Sequence, residues 1–431
     1  MKVRSSRRKS GVVAAIATMA VSAAILSGCA ASTPAADSGG KLVVWVDSAR
    51  QAQAEAYAEA QGASNFDIVV VDAAQLQSKL SQVKDDASSR PDVVFTPNSD
   101  APAIAGKFDL VQDLSGLVDD KVKDGFGSTL SACTSNGVID CLPQDVATVV
   151  LWYNKPLMDQ FGYTVPTTWT EYAQLGEKVA TEHPGYVMGS CADWACPNVF
   201  YRSNQCTGVS SNDGVDAVVN LASDPNCTEV TDMLDPLIKN KSIATLGPFD
   251  TDFATVMTDD KLLMMPGFIW FPGALFKDKV PNGSMAAAPL PLWDNGVKGT
   301  AASVGGQWFV VKQSSRQQAG LDFIEHQTTD LDLLASLDGG PAYGPARDAW
   351  AQAQGKSPVY AEDPSPTLVS AFDDIKDVDF YVEPGFDLLT SFSNTVGPAI
   401  KGGDTIAANM DAWQKAFAQT GTDYGLNVKI E

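Results

Sequence analysis

Residues 41–97, KLVVWVDSARQAQAEAYAEAQGASNFDIVVVDAAQLQSKLSQVKDDASSRPDVVFTP, decide the fold class. Leu42–Val46 is an unbroken apolar run, 49–61 is an Ala/Gln/Glu helix stopped by Gly62, and 68–71 is apolar again. Leu76, Leu80 and Val83 then fall on one helix face, and Val93, Val94 and Phe95 follow Pro91. The order is β-α-β-α-β. Strands that are continuously apolar are buried on both faces, which predicts parallel-type sheets flanked by helices, an α/β fold. In such a sheet a ligand sits beyond the carboxyl ends of the strands. That singles out Asp47, Ser48 and Arg50 after the first run, Asn98 and Asp100 after the third, and Gln144 and Asp145 before the next strand. All lie on short polar loops. The competing readings are a helix-face cation for Arg50 and helix caps or solvated loop acids for Asp100 and Asp145.

Working outward, a second block opens with a strand over 148–153, and Thr168-x-x-Glu171 forms a capping box before a helix to about residue 181. Ile406, Met410, Trp413 and Phe417 mark one face of a terminal helix. A chain of 431 residues exceeds one ordinary core. No long Gly/Ser linker separates the blocks, so two lobes that exchange strands are expected, with a ligand cleft between them.

Lys and Arg number 30 against 52 Asp and Glu, a net charge of −22. Loss of the five cations in 1–28 takes it to −27. So acidic a surface repels phosphate backbones and anionic headgroups, which excludes nucleic acid as a partner and charge-driven membrane attachment. The chain has two histidines, His183 before Pro184 and His326 in an amphipathic stretch. A His-rich metal site is therefore excluded, and no metal or cofactor is expected. Gly355-Lys356-Ser357 lacks the upstream glycine of a phosphate loop, since Trp350 occupies that position, so any ATPase is a separate subunit.

Basic residues 2–9 precede an apolar run over 12–26, a secretory signal in form. The run ends in Leu26-Ser27-Gly28-Cys29, which resembles a bacterial lipoprotein signal and implies cleavage before Cys29 and lipid attachment to it. Arg7-Arg8 leaves twin-arginine or general export open. Segment 29–40 reads as a flexible tether of about 18 Å reach. The other six cysteines, Cys133, Cys141, Cys191, Cys196, Cys206 and Cys227, form an even set in a chain sent to an oxidising surface. Cys133 with Cys141 across Asn136-Gly137 is the expected pair, the other four pairing among themselves. A four-thiolate zinc site is the alternative for those four.

The chain resembles the extracellular solute-binding proteins of carbohydrate ABC importers, the maltose-binding type. The likeness rests on KLVVWVDS, PDVVFTPNSD, LPQDVATVVLWYNKPLMDQFG with VPTTWTEYAQL, SVGGQWFVVKQSSRQQAGLDFIEHQTT, and GPAIKGGDTIAANMDAWQKAF, in the family order over nearly all of residues 41–431. The resemblance implies a two-lobed periplasmic-binding-protein-like fold. Lobe 1 would span 41–146 plus about 307–350, and lobe 2 about 147–306 plus about 351–431. It implies a monomer, lipid-anchored on the outer face of the cell membrane, that closes on a saccharide and presents it to a permease. Tyr153-Asn154-Lys155 falls where the family leaves its first crossing, and 303–307, with Gly306 and Gln307, near its second. Pro97 and Asn98 stand where the family often keeps an aromatic, and 186–230 departs from its pattern.

Sugar recognition needs a flat apolar face and fixed acceptors for paired hydroxyls. Candidate platforms are Trp194 on its Cys191–Cys196 loop, Trp270 and Phe271 flanked by Pro and Gly, and Phe386 after Gly385. Each has a competing reading as core. Trp45 and Trp308 lie within strand runs and are expected in the core. The ligand is then a neutral mono- or oligosaccharide. The rivals are a two-lobed receptor for a non-sugar solute, disfavoured because the loops are acidic and amide-bearing, and a secreted carbohydrate-active enzyme.

Overall fold

The computed structural model describes residues 40–86, 88–97, 107–211, 215–295, 303–373, 375 and 385–431. The signal segment, tether residues 29–39 with Cys29, and the candidates Asn98 and Asp100 lie outside the described residues.

Strands β1 (Leu42–Val46), β2 (Phe66–Val70) and β3 (Val93–Pro97) alternate with helices α1 (Gln51–Gln61) and α2 (Ala73–Val83). β1 is parallel to both of its neighbours. Successive side chains of a strand point to opposite faces, and here both faces are cores. Leu42, Val44 and Val46 pack with Val93, Phe95, Trp308 and Val310 on one side. Trp45 packs with Val94, Phe309 and Val311 on the other. This double burial is the reason the sequence shows no polar alternation, and it puts Trp45 and Trp308 in the core.

The chain then forms β4 (Leu142–Pro143), β5 (Asp145–Ala147) and β6 (Val149–Asn154), the last buried throughout. Helix α3 (Trp169–Glu182) starts at the expected capping box, with Thr168 Oγ1 accepting from the Glu171 amide at 3.1 Å. Helix α4 (Pro225–Lys239) follows. β7 (Met264–Phe268) and β8 (Met285–Ala288) flank β6. Both are antiparallel to it. β9 (Ser303–Val304) leads into β10 (Gly306–Val310), which enters the first sheet antiparallel to β3, giving the order β2-β1-β3-β10-β4. After α5 (Gln317–Thr329) comes β11 (Gly340–Pro341), then α6 (Leu388–Lys401) and α7 (Ile406–Tyr424). Ile406, Met410, Trp413 and Phe417 are buried on α7 as their spacing requires.

Two features correct the reading of the sequence. Among the described residues, parallel ladders join β1 to its two neighbours and Asp216–Val219 to Asn427–Ile430, whereas the rest of the first sheet and the second lobe's central sheet are antiparallel. A buried antiparallel strand such as β6 is as uniformly apolar as a parallel one, so the pattern does not distinguish them. The segment 331–350, expected with lobe 1, buries Leu334, Leu337 and Trp350 in the larger core, which also holds Val146 to Tyr153 and most of the buried residues beyond. Ala342 of that stretch joins the first lobe's core, and Tyr343 packs against it beside Phe126.

The passages between the lobes are strands themselves. β5 lies between β9 and β11 and is antiparallel to both, pairing Val146 with Val304 and with Gly340. These three strands, Asp145–Ala147, Ser303–Val304 and Gly340–Pro341, form one small sheet, against lobe boundaries expected from the sequence at 146/147, about 306/307 and about 350/351. Among the described residues no helix is long and apolar enough to cross a membrane.

Candidate ligand site at the lobe crossings

At the end of β1, Asp47 Oδ1 accepts from the Arg50 amide at 2.9 Å, which turns the chain into α1. The Arg50 guanidinium donates to Asp47 Oδ2 at 3.3 Å and to Asp145 Oδ1 at 3.2 Å, and lies 4.7 Å over the ring of Phe95. One cation therefore answers two carboxylates and is braced by an aromatic face. Ser48 is exposed beside it. Asp145 is only 9% exposed, and its Oδ1 also accepts from the Gly306 amide at 2.8 Å.

The other candidates from this region are inward. Gln144 is buried, its amide donating to Gln53 Oε1 and to the Gln327 carbonyl, each at 3.2 Å. Gln307 is buried with its amide on the Ala132 carbonyl at 3.2 Å. Gly306 is covered by Phe95, whose ring stands 2.2 Å from where a Cβ would lie. These residues build the junction between β4 and β10, where Gln144 Oε1 is buried without a hydrogen-bond partner.

Beyond the third crossing lies an aromatic ladder. A Cβ on Gly339 would stand 2.9 Å from Asp145, and one on the adjacent Gly340 would stand 2.5 Å from Ile269, the residue before Trp270. The crossing thus touches Asp145 of the Arg50 cluster on one side and Ile269, the sequence neighbour of Trp270, on the other. Trp270 follows β7 and lies near-parallel to Phe249 (6.1 Å, 13°), Phe268 (5.5 Å, 11°) and Trp194 (6.5 Å, 13°). Phe249 is 48% exposed, and Trp194 and Trp270 are half-buried. Phe271, by contrast, is fully buried and meets Trp270 edge-on at 4.9 Å and 84°, so it backs the ladder and does not face a ligand. Phe386 is 6% exposed, packed on Phe417 and against Gly421 of α7, and is core. Gly385, at a positive φ of 88°, turns the chain ahead of α6, and the Phe386 ring lies inward.

Trp194 rides on a stapled loop. Cys191 is bonded to Cys196, Cys206 to Cys227 and Cys133 to Cys141, which leaves none of these thiolates for the zinc alternative. Among the described residues no three His, Cys, Asp or Glu side chains are grouped to hold a metal. Within the loop Asp193 accepts from the Ala195 amide at 2.9 Å, and burial raises its carboxyl pKa. Asp193 also abuts Gly247, two residues before Phe249. Asp250 accepts from Lys401 Nζ at 2.7 Å and from the Gly247 amide at 2.8 Å, and the Lys401 hydrogen bond holds its pKa below the usual range. Phe249 and Asp193 escaped the reading of the sequence. Gly247-Pro248 before Phe249 carried the same loop signal that picked out Trp270. A solvent-open depression lined by His326, Thr329, Asp330, Leu331 and Asp332 offers no Trp, Tyr or Phe.

Residues 45–330 match the family model of the bacterial extracellular solute-binding proteins. The chain belongs to that family. The solute-binding protein is 28% identical over 232 residues to the arabinooligosaccharide-binding protein of Halalkalibacterium halodurans, 52% of this chain and 50% of that one. It is 27% identical over 241 residues to the protein of the same description from Bacillus subtilis. It thus spans about half the length of the curated relatives it matches. In three dimensions it is similar to the galacto-N-biose/lacto-N-biose I-binding protein of Bifidobacterium longum, with a TM-score of 0.75, 19% identity and coverage of 91% of this chain and 100% of that one. The binding protein of B. animalis subsp. lactis in complex with β-1,6-galactobiose gives 0.69 at 22% identity, covering 90% and 99%. These solved structures establish the two-lobed fold of the solute-binding protein.

Proposed function

We propose that this solute-binding protein captures a neutral mono- or oligosaccharide between its lobes and delivers it to the permease of an ABC importer that has a separate ATPase. The observation that carries the reading is the pairing of an aromatic ladder, Phe249, Trp270 and Trp194, with a guanidinium already neutralised by two carboxylates. Flat apolar rings suit the C–H face of a pyranose or furanose. Arg50 held between Asp47 and Asp145 still has N–H groups for hydroxyls, yet the cluster carries net negative charge, which disfavours a phosphate or carboxylate ligand. The names of the curated relatives and of the solved structures agree with a sugar ligand. Ligand-facing residues in this reading are Asp47, Ser48, Arg50, Trp194 and Trp270, with Phe249 and Asp193 added. Asn98 and Asp100, which follow β3 in sequence, remain proposed on sequence grounds. The protein acts as a single chain that leaves its sugar chemically unchanged, exported and anchored to the outer face of the membrane through lipid on Cys29.

A thermal-shift screen against neutral oligosaccharides, including arabino-, galacto- and malto-series, tests this. Ligand at a hundred times its dissociation constant adds about 2.7 kcal/mol of stability. A rise with at least one neutral sugar is expected. Rises with amino acids, peptides or anions and none with sugars would reverse the assignment.

A further inference from the structure

We propose that Asp145 is the positioning residue of the hinge, setting the rest angle between the lobes and the direction of Arg50, in place of the direct sugar contact its loop position suggests. The carboxylate is where all three crossings meet. Asp145 itself stands on β5, the first crossing. From the second, the Gly305 amide donates to the Asp145 carbonyl at 2.9 Å and the Gly306 amide to Oδ1 at 2.8 Å. A Cβ on Gly305 would fall 2.3 Å from Oδ2, and one on Gly339, beside the third crossing, 2.9 Å from it. Bare backbone thus packs on the carboxylate from both sides. The fourth contact is Arg50, from the loop that leads into α1 of the first lobe, on Oδ1 at 3.2 Å.

Oδ1 already accepts twice, and the Gly305 and Gly339 backbones crowd Oδ2 from two sides, which leaves little of the carboxylate to a sugar hydroxyl. The same geometry suits a hinge. Domain closure is absorbed by a few residues at element ends, and glycine tolerates the change in φ and ψ that other residues resist. Freedom alone leaves the rest position undefined. Two charge-assisted hydrogen bonds to one carboxylate define it, one from the second crossing and one from the first lobe.

The test needs no sugar, so its failure is separate from failure of the saccharide reading. The full chain carrying Cys29→Ser is spin-labelled at Glu59→Cys on α1 and Glu177→Cys on α3, both exposed and in different lobes. The distance distribution between labels is then measured without ligand. Asp145→Asn keeps an acceptor for the Gly306 amide and removes the charge that holds Arg50; Arg50→Gln removes the cation from the other side. Each is expected to broaden the distribution about twofold, and the double variant to add nothing, because contacting residues that act through one bond are not additive. Near-UV circular dichroism matching the parent confirms that both lobes stay packed. If Asp145→Asn fails to fold, Arg50→Gln, in a partly exposed loop, decides alone. A parent-like distribution in either single variant, or additive broadening in the double, overturns the proposal.

Discussion

Trp270 and Phe271 are neighbours in sequence with opposite fates. Both follow β7 and both carry the same Pro and Gly flanks, yet one ring joins the half-exposed ladder and the other backs it from the core. Residue type and loop context were legible in the sequence. Which of two adjacent rings turns outward is set by the packing of Phe271 against Gly267 and Phe268, contacts that no local pattern encodes. The same holds for Gln144 and Gln307, whose amides are consumed by the junction of two strands far apart in sequence. If Trp270 stacks on sugar, Trp270→Ala removes a hot-spot contact of about 2 kcal/mol or more, at least roughly 30-fold in affinity by calorimetry. A variant that melts far below the parent but binds unchanged would return Trp270 to the core.

Asp193 supports a pH test. Burial raises its pKa in the folded protein, so between the unfolded value and the raised one the folded state binds more protons than the unfolded. Its contribution to stability therefore falls as pH rises through that window and stays unfavourable at neutral pH. Asp193→Asn keeps the oxygen that caps the Ala195 amide and removes the buried charge. Its melting temperature is expected to exceed the parent's at pH 7 and to match it at pH 3. An equal difference at both values would assign the effect to something other than ionisation.

At the scale of elements the sequence was most informative where a local rule suffices. The capping box at Thr168 and Glu171, the stop at Gly62 and the four-residue stripe of α7 all lie where they were read. Thr168→Ala is expected to cost about 1 kcal/mol, the usual loss of an N-cap, measured by denaturant titration. Strand direction was not legible, because burial on both faces erases the alternation that would distinguish the sheets. Disulfide pairing was legible only in part: the short Cys133–Cys141 loop could be assigned, whereas four cysteines allow three pairings and the fold selects one. Replacing Cys206 and Cys227 by Ala opens a link between cysteines 21 positions apart. Loop-closure entropy predicts a loss of about 3 kcal/mol, visible as a drop of several degrees in the second lobe's melting. An unchanged midpoint would show that the reduced chain keeps that loop closed by packing alone.

For the whole molecule, the two-lobed plan followed from length, the absence of a linker and the order of family segments, with a third boundary expected at about 350, beyond the strand Gly340–Pro341 that joins β5. Gly340 and Pro341 look like a turn in sequence and become a strand only because β5 presents Asp145 and Val146 to pair with them. In the proposed reading a ligand touches both the Arg50 cluster and the aromatic ladder. A ligand that touches both pulls the lobes together, since only the closed form completes its contacts. Calorimetric titration of the purified protein with neutral oligosaccharides, repeated at low and high salt, tests this account most directly. Saturable one-to-one binding of a neutral sugar is expected, with an affinity that barely changes with ionic strength, because screening acts on charged ligands. Binding confined to anionic or peptide ligands, weakening steeply with salt, would contradict it.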